Sequence, residues 1–347
     1  MTLLSQIRGH FDPNAPHLET ITPAAAMPDG VVDLRGARLA GKQLPAVTIG
    51  DTVAPLAFTS SSRVTFRVPD GSISGDVVLR MGDVESNALP LNVAVPIADN
   101  LHPIANPAVD EEGNIFATFS GTRGQDVPVS IYRIDRDYQM RPFVRGLQNA
   151  SGLAFSPSGH LYCSSRFEGT VYRINSDGAS VQFAEGMGIA TGLAFDADGN
   201  LYVGDRSGTI FKLDTHGNVF VFATLEPSVS AYHLAFLSDG TLLVTGPTTS
   251  SNEAIHAITP DGEVSTWFRG LGRPQGMAVD THGNVFVAAS LQGERGIVRI
   301  TPNKEATLAL SGAGLVGLAF TEAGEAVLAT HSTLYTVDLG AEGRLTA

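Results

Sequence analysis

The sequence predicts an all-β protein in two parts, and three observations carry that prediction. Glycine and proline are abundant, at 38 and 19 of 347 residues, while only 16% of residues are charged. Such a chain is rich in turns and short strands, not in long helices. Hydrophobic residues reach 43%, ample for a sizeable core. A short sequence pattern recurs along most of the chain but is missing from roughly its first ninety residues. At this length, two domains or a repeat array with an added module is the expectation.

The non-repeating part comes first. PHLETITP, GVVDLRGARL, LPAVTIGD, RVTFRVPDG and GDVVLRMG read as successive strands separated by glycine and proline turns. Ile21 to Pro23, the L-R-G-A-R-L segment, the V-T-I-G strand and the V-P-D-G-S-I-S-G-D-V-x-L close follow one another in an order that resembles the IPT/TIG domain. That resemblance implies a small N-terminal Ig-like β-sandwich over residues 16–91, acting as a spacer or an interaction surface. The strands contain neither the cysteines nor the buried tryptophan of antibody-type domains.

The repeat follows. NPAVDEEGNIFATFS at Asn106, GLAFSPSGHLYCSSR at Gly152 and GLAFDADGNLYVGDR at Gly192 are three copies. HLAFLSDGTLLVTGP at His233, GMAVDTHGNVFVAAS at Gly276 and GLAFTEAGEAVLATH at Gly317 complete six. Their starts lie about 40 to 46 residues apart, the period of four-stranded propeller blades. In each copy an apolar run meets a turn of the D-x-x-G-N kind, where glycine supplies positive φ and Asp or Asn bonds its own backbone. An alternating strand such as LYVGD follows, then a third such as TIFKL. A second turn (DTHGN, NSDGA, TPDGE, TPNKE) leads into a fourth strand such as VFVFA. One blade cannot bury both of its faces, so neighbours must stack around an axis.

The G-L-A-F-D-x-x-G-N-L-Y-V repeats resemble those of the NHL-repeat and SMP-30/gluconolactonase-like proteins. The resemblance implies a C-terminal six-bladed β-propeller over residues 92–340. The last copy is followed only by AEGRLTA after TLYTVDLG, so it lacks an outermost strand. Leu91 to Ala98, LNVAVPIA, has the composition of that strand and is predicted to close the ring by pairing with the last blade, removing two sheet edges.

On a propeller, interblade connections and the loops between second and third strands gather on one face, and the tight D-x-x-G turns gather on the other. Loops on a rigid scaffold carry function, so a site is expected on the first face and outside the GLAFDADGN stretches themselves. Ala105, Ser151, Thr191, Tyr232, Gln275 and Val316 stand just before the inner strands. In gluconolactonase-like enzymes, the resemblance implies, metal-binding carboxylates and amides come from such positions. Here Ala105 stands for the family's glutamate, Gln275 in PQGMAVD for its aspartate, and Thr191 and Tyr232 for asparagines. A hard cation wants several anionic or carbonyl oxygens, and this set implies that the metal site is lost or was never there.

The loops between second and third strands offer Arg166, Glu168, Asp205, Arg206, Glu294, Arg295 and His331, with Tyr232, His233 and Arg273 from the interblade connections. Together with Thr191 and Gln275 they are the candidates for a polar or anionic ligand. Taken singly, each charged residue reads more simply as a solvated loop charge. His160, His216 and His282 fall at the tight turns and read as surface residues, leaving His233 and His331 near the axis on the site face. No G-x-S-x-G elbow is present; Ser164, Ser165 and Ser290 end strands, and Trp267 and Phe268 lie on an outer strand.

A net charge of −13, with no basic run, excludes nucleic acid as a partner. The single cysteine, Cys163, excludes an intrachain disulfide framework and reads as a small buried residue. No apolar stretch has membrane-spanning length. MTLLSQIRGHFDPNAP lacks a charged n-region and apolar core, so the protein is expected in the cytoplasm, or exported with its leader removed. Two functions stay open. One is a non-catalytic binding or scaffold protein taking a protein or small polar ligand, without cofactor. The other is a lactonase-like hydrolase or lyase with an atypical site for a divalent metal such as calcium.

Overall fold

In a computed structural model, residues 15–250 and 252–341 are described, and every regular element among them is a β-strand. Among them no helix is long and apolar enough to cross a membrane. The first fourteen residues, on which the leader expectation rests, lie outside the described residues. The chain divides into two compact units, Met1–Val93 and Ala94–Ala347.

In the first unit, one sheet takes His17–Thr22, Val31–Ala37, Arg63–Arg67 and Leu56–Thr59 in that spatial order. A second holds Leu89–Val93, Gly75–Met81, Ala46–Ile49 and Thr52–Ala54, with Ala25–Ala26 parallel to Leu89–Val93. Alternation directs Val32, Leu34, Val64 and Phe66 of the first sheet and Val47, Ile49, Val77 and Leu79 of the second into one core.

The second unit repeats one pattern. Ala108–Val109, Ile115–Thr118, Ile131–Ile134 and Met140–Val144 form an antiparallel group in chain order. The same holds for Ala150–Phe155, Leu161–Ser165, Thr170–Ile174 and Ser180–Ala184, and for Ala190–Phe195, Leu201–Asp205, Thr209–Leu213 and Val219–Thr224. His233–Phe236, Leu242–Thr245, Glu253–Ile258 and Val264–Gly272 continue it, as do Met277–Val279, Val285–Leu291, Glu294–Ile300 and Ala306–Ser311. In the last group Leu315–Phe320, Ala326–Thr330 and Leu334–Val337 take their fourth strand from Val95–Ala98, with Val95 opposite Thr336. The segment expected to close the ring is thus split. Leu91–Val93 stays with Gly75–Met81 in the first unit, and only the four residues after Ala94 pair with Leu334–Val337.

Aromatic rings join successive groups. Phe116 packs edge-on against Phe155, Tyr162 against Phe195, Tyr202 against Phe236 and Phe286 against Phe320, with centroids 5.0–5.5 Å apart. Each pair runs from the second strand of one group to the inner strand of the next, the contact expected of blades that bury their faces on each other. Val109, Ile115 and Ile134 of the first group share a cluster with Val316, Val327 and Leu334 of the last, so the array returns on itself.

Both tight turns of a group have one geometry. In the first turns, Asp196 N–H donates to Asn200 O and Gly199 N–H returns to Asp196 O, with φ +83° at Gly199. The Asp196 carboxylate takes the Asn200 backbone and side-chain N–H groups at 2.8 Å each, and Asp110–Asn114 and Asp280–Asn284 repeat the motif. This is why D-x-x-G-N is so regular in the sequence.

Candidate functional site

Antiparallel pairing fixes which side chains share an end of the array. Ala150 lies opposite Ser165 and Phe155 opposite Leu161, so Arg166 sits where the inner strand begins and the tight turn sits where it ends. Arg166, Arg206 and His331 directly follow their second strands, and Ser120, Pro247 and Ser290 hold the matching repeat position in the other groups.

The positions before and at the start of the inner strands form a hydrogen-bonded belt. Ser164 Oγ takes the Gly152 N–H and donates to Thr191 O at 2.5 Å. Thr191, 1% exposed, donates its hydroxyl to Gly204 O and accepts the Tyr232 N–H at 3.0 Å. Thr245 Oγ1 donates to Gln275 O, and Gln275 Nε2 donates to Leu315 O at 3.2 Å. Asn106 joins the last two groups to the first: its Nδ2 donates to Met277 O at 2.9 Å and its Oδ1 accepts the Leu318 N–H. The strands converge so closely here that a Cβ on Gly152 would strike Thr191 O, and one on Gly276 would strike the Cα of Gly317.

Thr191, Tyr232 and Gln275 are therefore occupied internally. Tyr232 is 2% exposed, and its hydroxyl donates to Glu226 O. Burial first, then Glu226 and Asp205, push that hydroxyl up to about 12. The Asp205 carboxylate holds the Ile189 N–H at 2.8 Å and the Ser207 hydroxyl, pinning its own loop. His233 is 2% exposed with no partner at Nε2, and burial brings its imidazole down to about 4, so it is a neutral core residue. Arg273 is exposed, at φ +47°, and none of the described interactions ties it to the others.

The four positions at which the family resemblance implies metal ligands do not fit a divalent cation. Ala105 is a buried methyl, Thr191 spends its hydroxyl on Gly204 O and the Tyr232 N–H, Gln275 is tied through Nε2 to Leu315 O, and the Tyr232 hydroxyl reaches Glu226. Among the described residues no group of three or more His, Cys, Asp or Glu converges.

What the structure does gather is positive charge. Arg166 donates Nη2 to Gly121 O at 2.8 Å, and Arg206 donates Nη2 to Val229 O at 2.9 Å; the Nε of each is buried without a partner. Burial, with Arg206 and then Arg123 adding, lowers the Arg166 pKa. Burial, with Arg166 and His331 adding, holds the His102 imidazole below its ordinary value, and its Nδ1 is also unpartnered. None of these five residues belongs to an ion pair with a carboxylate among the described residues. His102 escaped the sequence reading because it lies in NLHPIAN, ahead of the first repeat; its nearness became visible only when it bridged to Phe119, at the end of a second strand.

The opposite end differs. A cavity of about 900 Å³ opens among the tight turns, lined by the repeat itself: Ala154, Ala194, Ala235, Ala278 and Ala319 with the phenylalanines, or Val279, that follow. A site was expected away from the GLAFDADGN stretches, and the structure places this cavity between them. Cys163, as expected, is fully buried, and burial pushes its thiol up to about 12.

Four-stranded groups in series around a channel make this an all-β propeller. No family model and no curated protein matches the chain. Solved structures do share its fold. A structural genomics protein of unknown function from Bacteroides thetaiotaomicron is similar at TM-score 0.59 and 14% identity, over 95% of this chain and 100% of that one. An auxiliary nutrient binding protein from Bacteroides ovatus gives 0.53 and 12%, over 94% and 99%. A putative gluconolactonase gives 0.58 and 18%, over 73% of this chain and 94% of its own. At these identities the likeness is one of fold.

Proposed function

We propose that the protein is a non-catalytic binding protein whose propeller takes an anionic small ligand, or the acidic segment of a partner, at the Arg166–Arg206–His331 end. The second unit is read as six NHL-like blades closed by Val95–Ala98, and the first as an Ig-like module of the IPT/TIG kind serving as spacer or contact surface. One observation carries the ligand chemistry. In a chain of net charge −13, two loop guanidiniums are each anchored by one bond to a backbone carbonyl, and neither is matched by a carboxylate. Held rigidly by those carbonyls, they present fixed donors to a carboxylate or phosphate. Arg123 stands at the edge of this charge, and the His102 imidazole beside it is held neutral, with its Nδ1 unpartnered. The binding reading also accords with a nutrient binding protein among the similar folds. The gluconolactonase-like alternative has fold similarity but no donor set at its four expected positions.

Calorimetric titration with inorganic phosphate, citrate and a neutral sugar tests this. Phosphate or citrate is expected to bind, with affinity falling as salt rises. Arg166→Gln and Arg206→Gln are each expected to weaken it about tenfold, a loss of about 1.4 kcal/mol, with unchanged melting temperature. Failure of both anions to bind, or equal binding by both variants, sinks the proposal. Hydrolysis of a simple lactone stimulated by calcium would restore the enzyme alternative.

A further inference from the structure

The cavity at the turn end is a funnel that opens among the tight turns. Its floor is Asn106, tied to Met277 and Leu318, at the level where the inner strands nearly touch. One step along each strand, alternation brings alanine to the lumen, and Ala154, Ala235, Ala278 and Ala319 keep partial exposure on strands whose neighbouring residues are largely buried. Small side chains at this level leave about 900 Å³ of space, the size of a small-ligand site. Phe155 and Phe236 offer ring surface at the wall.

The mouth carries one sign of charge. Asp110, Glu111, Glu112, Asp196 and Asp239 line it, and no lysine, arginine or histidine does. Asp110 and Asp196 are engaged by the asparagines of their own turns, and Lys212 stands 3.9 Å from Asp196. Asp239 accepts its own turn's Thr241 N–H at 2.9 Å, and Lys304 lies within its field. Arg136 donates to the Glu112 backbone carbonyl, not to its carboxylate. The Glu111 and Glu112 carboxylates are exposed and take part in none of the described hydrogen bonds or ion pairs.

We infer that this funnel binds an amphiphilic organic cation, with its apolar body against the alanine and phenylalanine wall and its ammonium group at the Glu111, Glu112 and Asp239 rim. An apolar body leaves water when it packs against the alanine and phenylalanine wall. The ammonium stays at the mouth, where it keeps part of its hydration and gains both the rim charge and the faces of nearby rings. An anion of the same shape meets only repulsion. This site is separate from the arginine end: the two lie at opposite ends of the inner strands.

Titration of the full chain with 4-phenylbutyl-trimethylammonium, 4-phenylbutanol and 4-phenylbutyrate tests the assignment. The cation is expected to bind, the alcohol about tenfold more weakly, and the carboxylate not detectably. The combined exposed-rim variant Glu111→Gln, Glu112→Gln and Asp239→Asn is expected to bring the cation down to the affinity of the alcohol. Ala278→Leu, which fills the lumen, is expected to abolish binding of both; if it fails to fold, the rim variant alone decides. Arg166→Gln is expected to change nothing, so loss of phosphate binding and loss of cation binding are read independently. No cation binding at millimolar concentration, equal binding of cation and carboxylate, or a rim variant that binds the cation normally overturns the inference.

Discussion

The two ends of the propeller unit are built from the same repeat and have opposite characters. At the turn end every group closes with a five-residue turn that satisfies itself: the first residue accepts the Gly N–H, and in three of the groups an Asp carboxylate is absorbed by the Asn four residues on. At the loop end the chain satisfies itself across groups, through Ser164, Thr191, Thr245, Gln275 and Asn106, and leaves arginine charge over. Local satisfaction lets the strands splay and leaves a cavity. Mutual satisfaction draws neighbouring strands together. Which end a residue belongs to decides what a substitution there does.

Two residues on one strand break or sharpen this contrast most strongly. Gly276 stands at the loop end, where a Cβ would strike the Gly317 Cα and crowd Val316 O at 2.8 Å; Ala278 faces the cavity. Gly276→Ala is expected to destabilise by at least about 3 kcal/mol or prevent folding, because backbone has nowhere to go. Ala278→Leu should cost less than about 1 kcal/mol by urea unfolding. Equal costs would mean that the two ends do not differ in packing.

Asn106→Ala removes the side chain that ties the first group to the last two. Met277 O and the Leu318 N–H then lose a partner at the cavity floor, for an expected loss of about 1–3 kcal/mol in urea unfolding. Asn106→Asp should be worse at neutral pH than at pH 4, since its carboxylate would face Met277 O.

His233 supplies a pH test of the loop end. Burial lowers its folded pKa to about 4 from an ordinary 6.5, so the unfolded chain takes up a proton first as pH falls. The stability is complete above pH 6.5, declines between 6.5 and 4, and has been lost below that; the span is worth on the order of 3 kcal/mol. His233→Gln should flatten this part of the stability–pH curve. An unchanged slope would place the acid sensitivity elsewhere, on His102 or His256, which burial also lowers.

Strands and turns were legible because their signals are local: period-two alternation and glycine at a fixed turn position. The closing strand was legible only in part. LNVAVPIA alternates without a break, so nothing in it marks the change of unit at Ala94; pairing with Gly75–Met81 on one side and Leu334–Val337 on the other decides it. Arg166 and Arg206 were readable from their place after the second strand. Thr191 and Gln275 were placed at the right end, but whether a side chain there faces the lumen or the next strand depends on how tightly the strands converge, and no pattern within one repeat encodes that. The cavity was missed for a related reason: the alanine of G-L-A-F reads as one more apolar residue until the ring turns it inward.

Lys304 gives the smallest and most local test, at the turn end. In the second turns DTHGN, NSDGA and TPDGE the fourth residue is Gly217, Gly178 or Gly262, at φ +84° to +89°; TPNKE places Lys304 there at φ +68°. Its N–H makes the turn's usual bond to Thr301 O, so the geometry is imposed against the residue's preference. The side chain recovers part of the cost by setting Nζ 3.2 Å over the Trp267 ring, and Phe268 packs beside it in the same cluster. Left-handed backbone costs a lysine about 1 kcal/mol and an exposed cation–π contact returns about 0.5–1. Lys304→Gly should therefore shift stability by no more than about 0.5 kcal/mol, whereas Lys304→Ala, which keeps the strain and loses the contact, should cost about 0.5–1 kcal/mol. If glycine proves as costly as alanine in urea unfolding, the cation–π contact outweighs backbone strain at this turn.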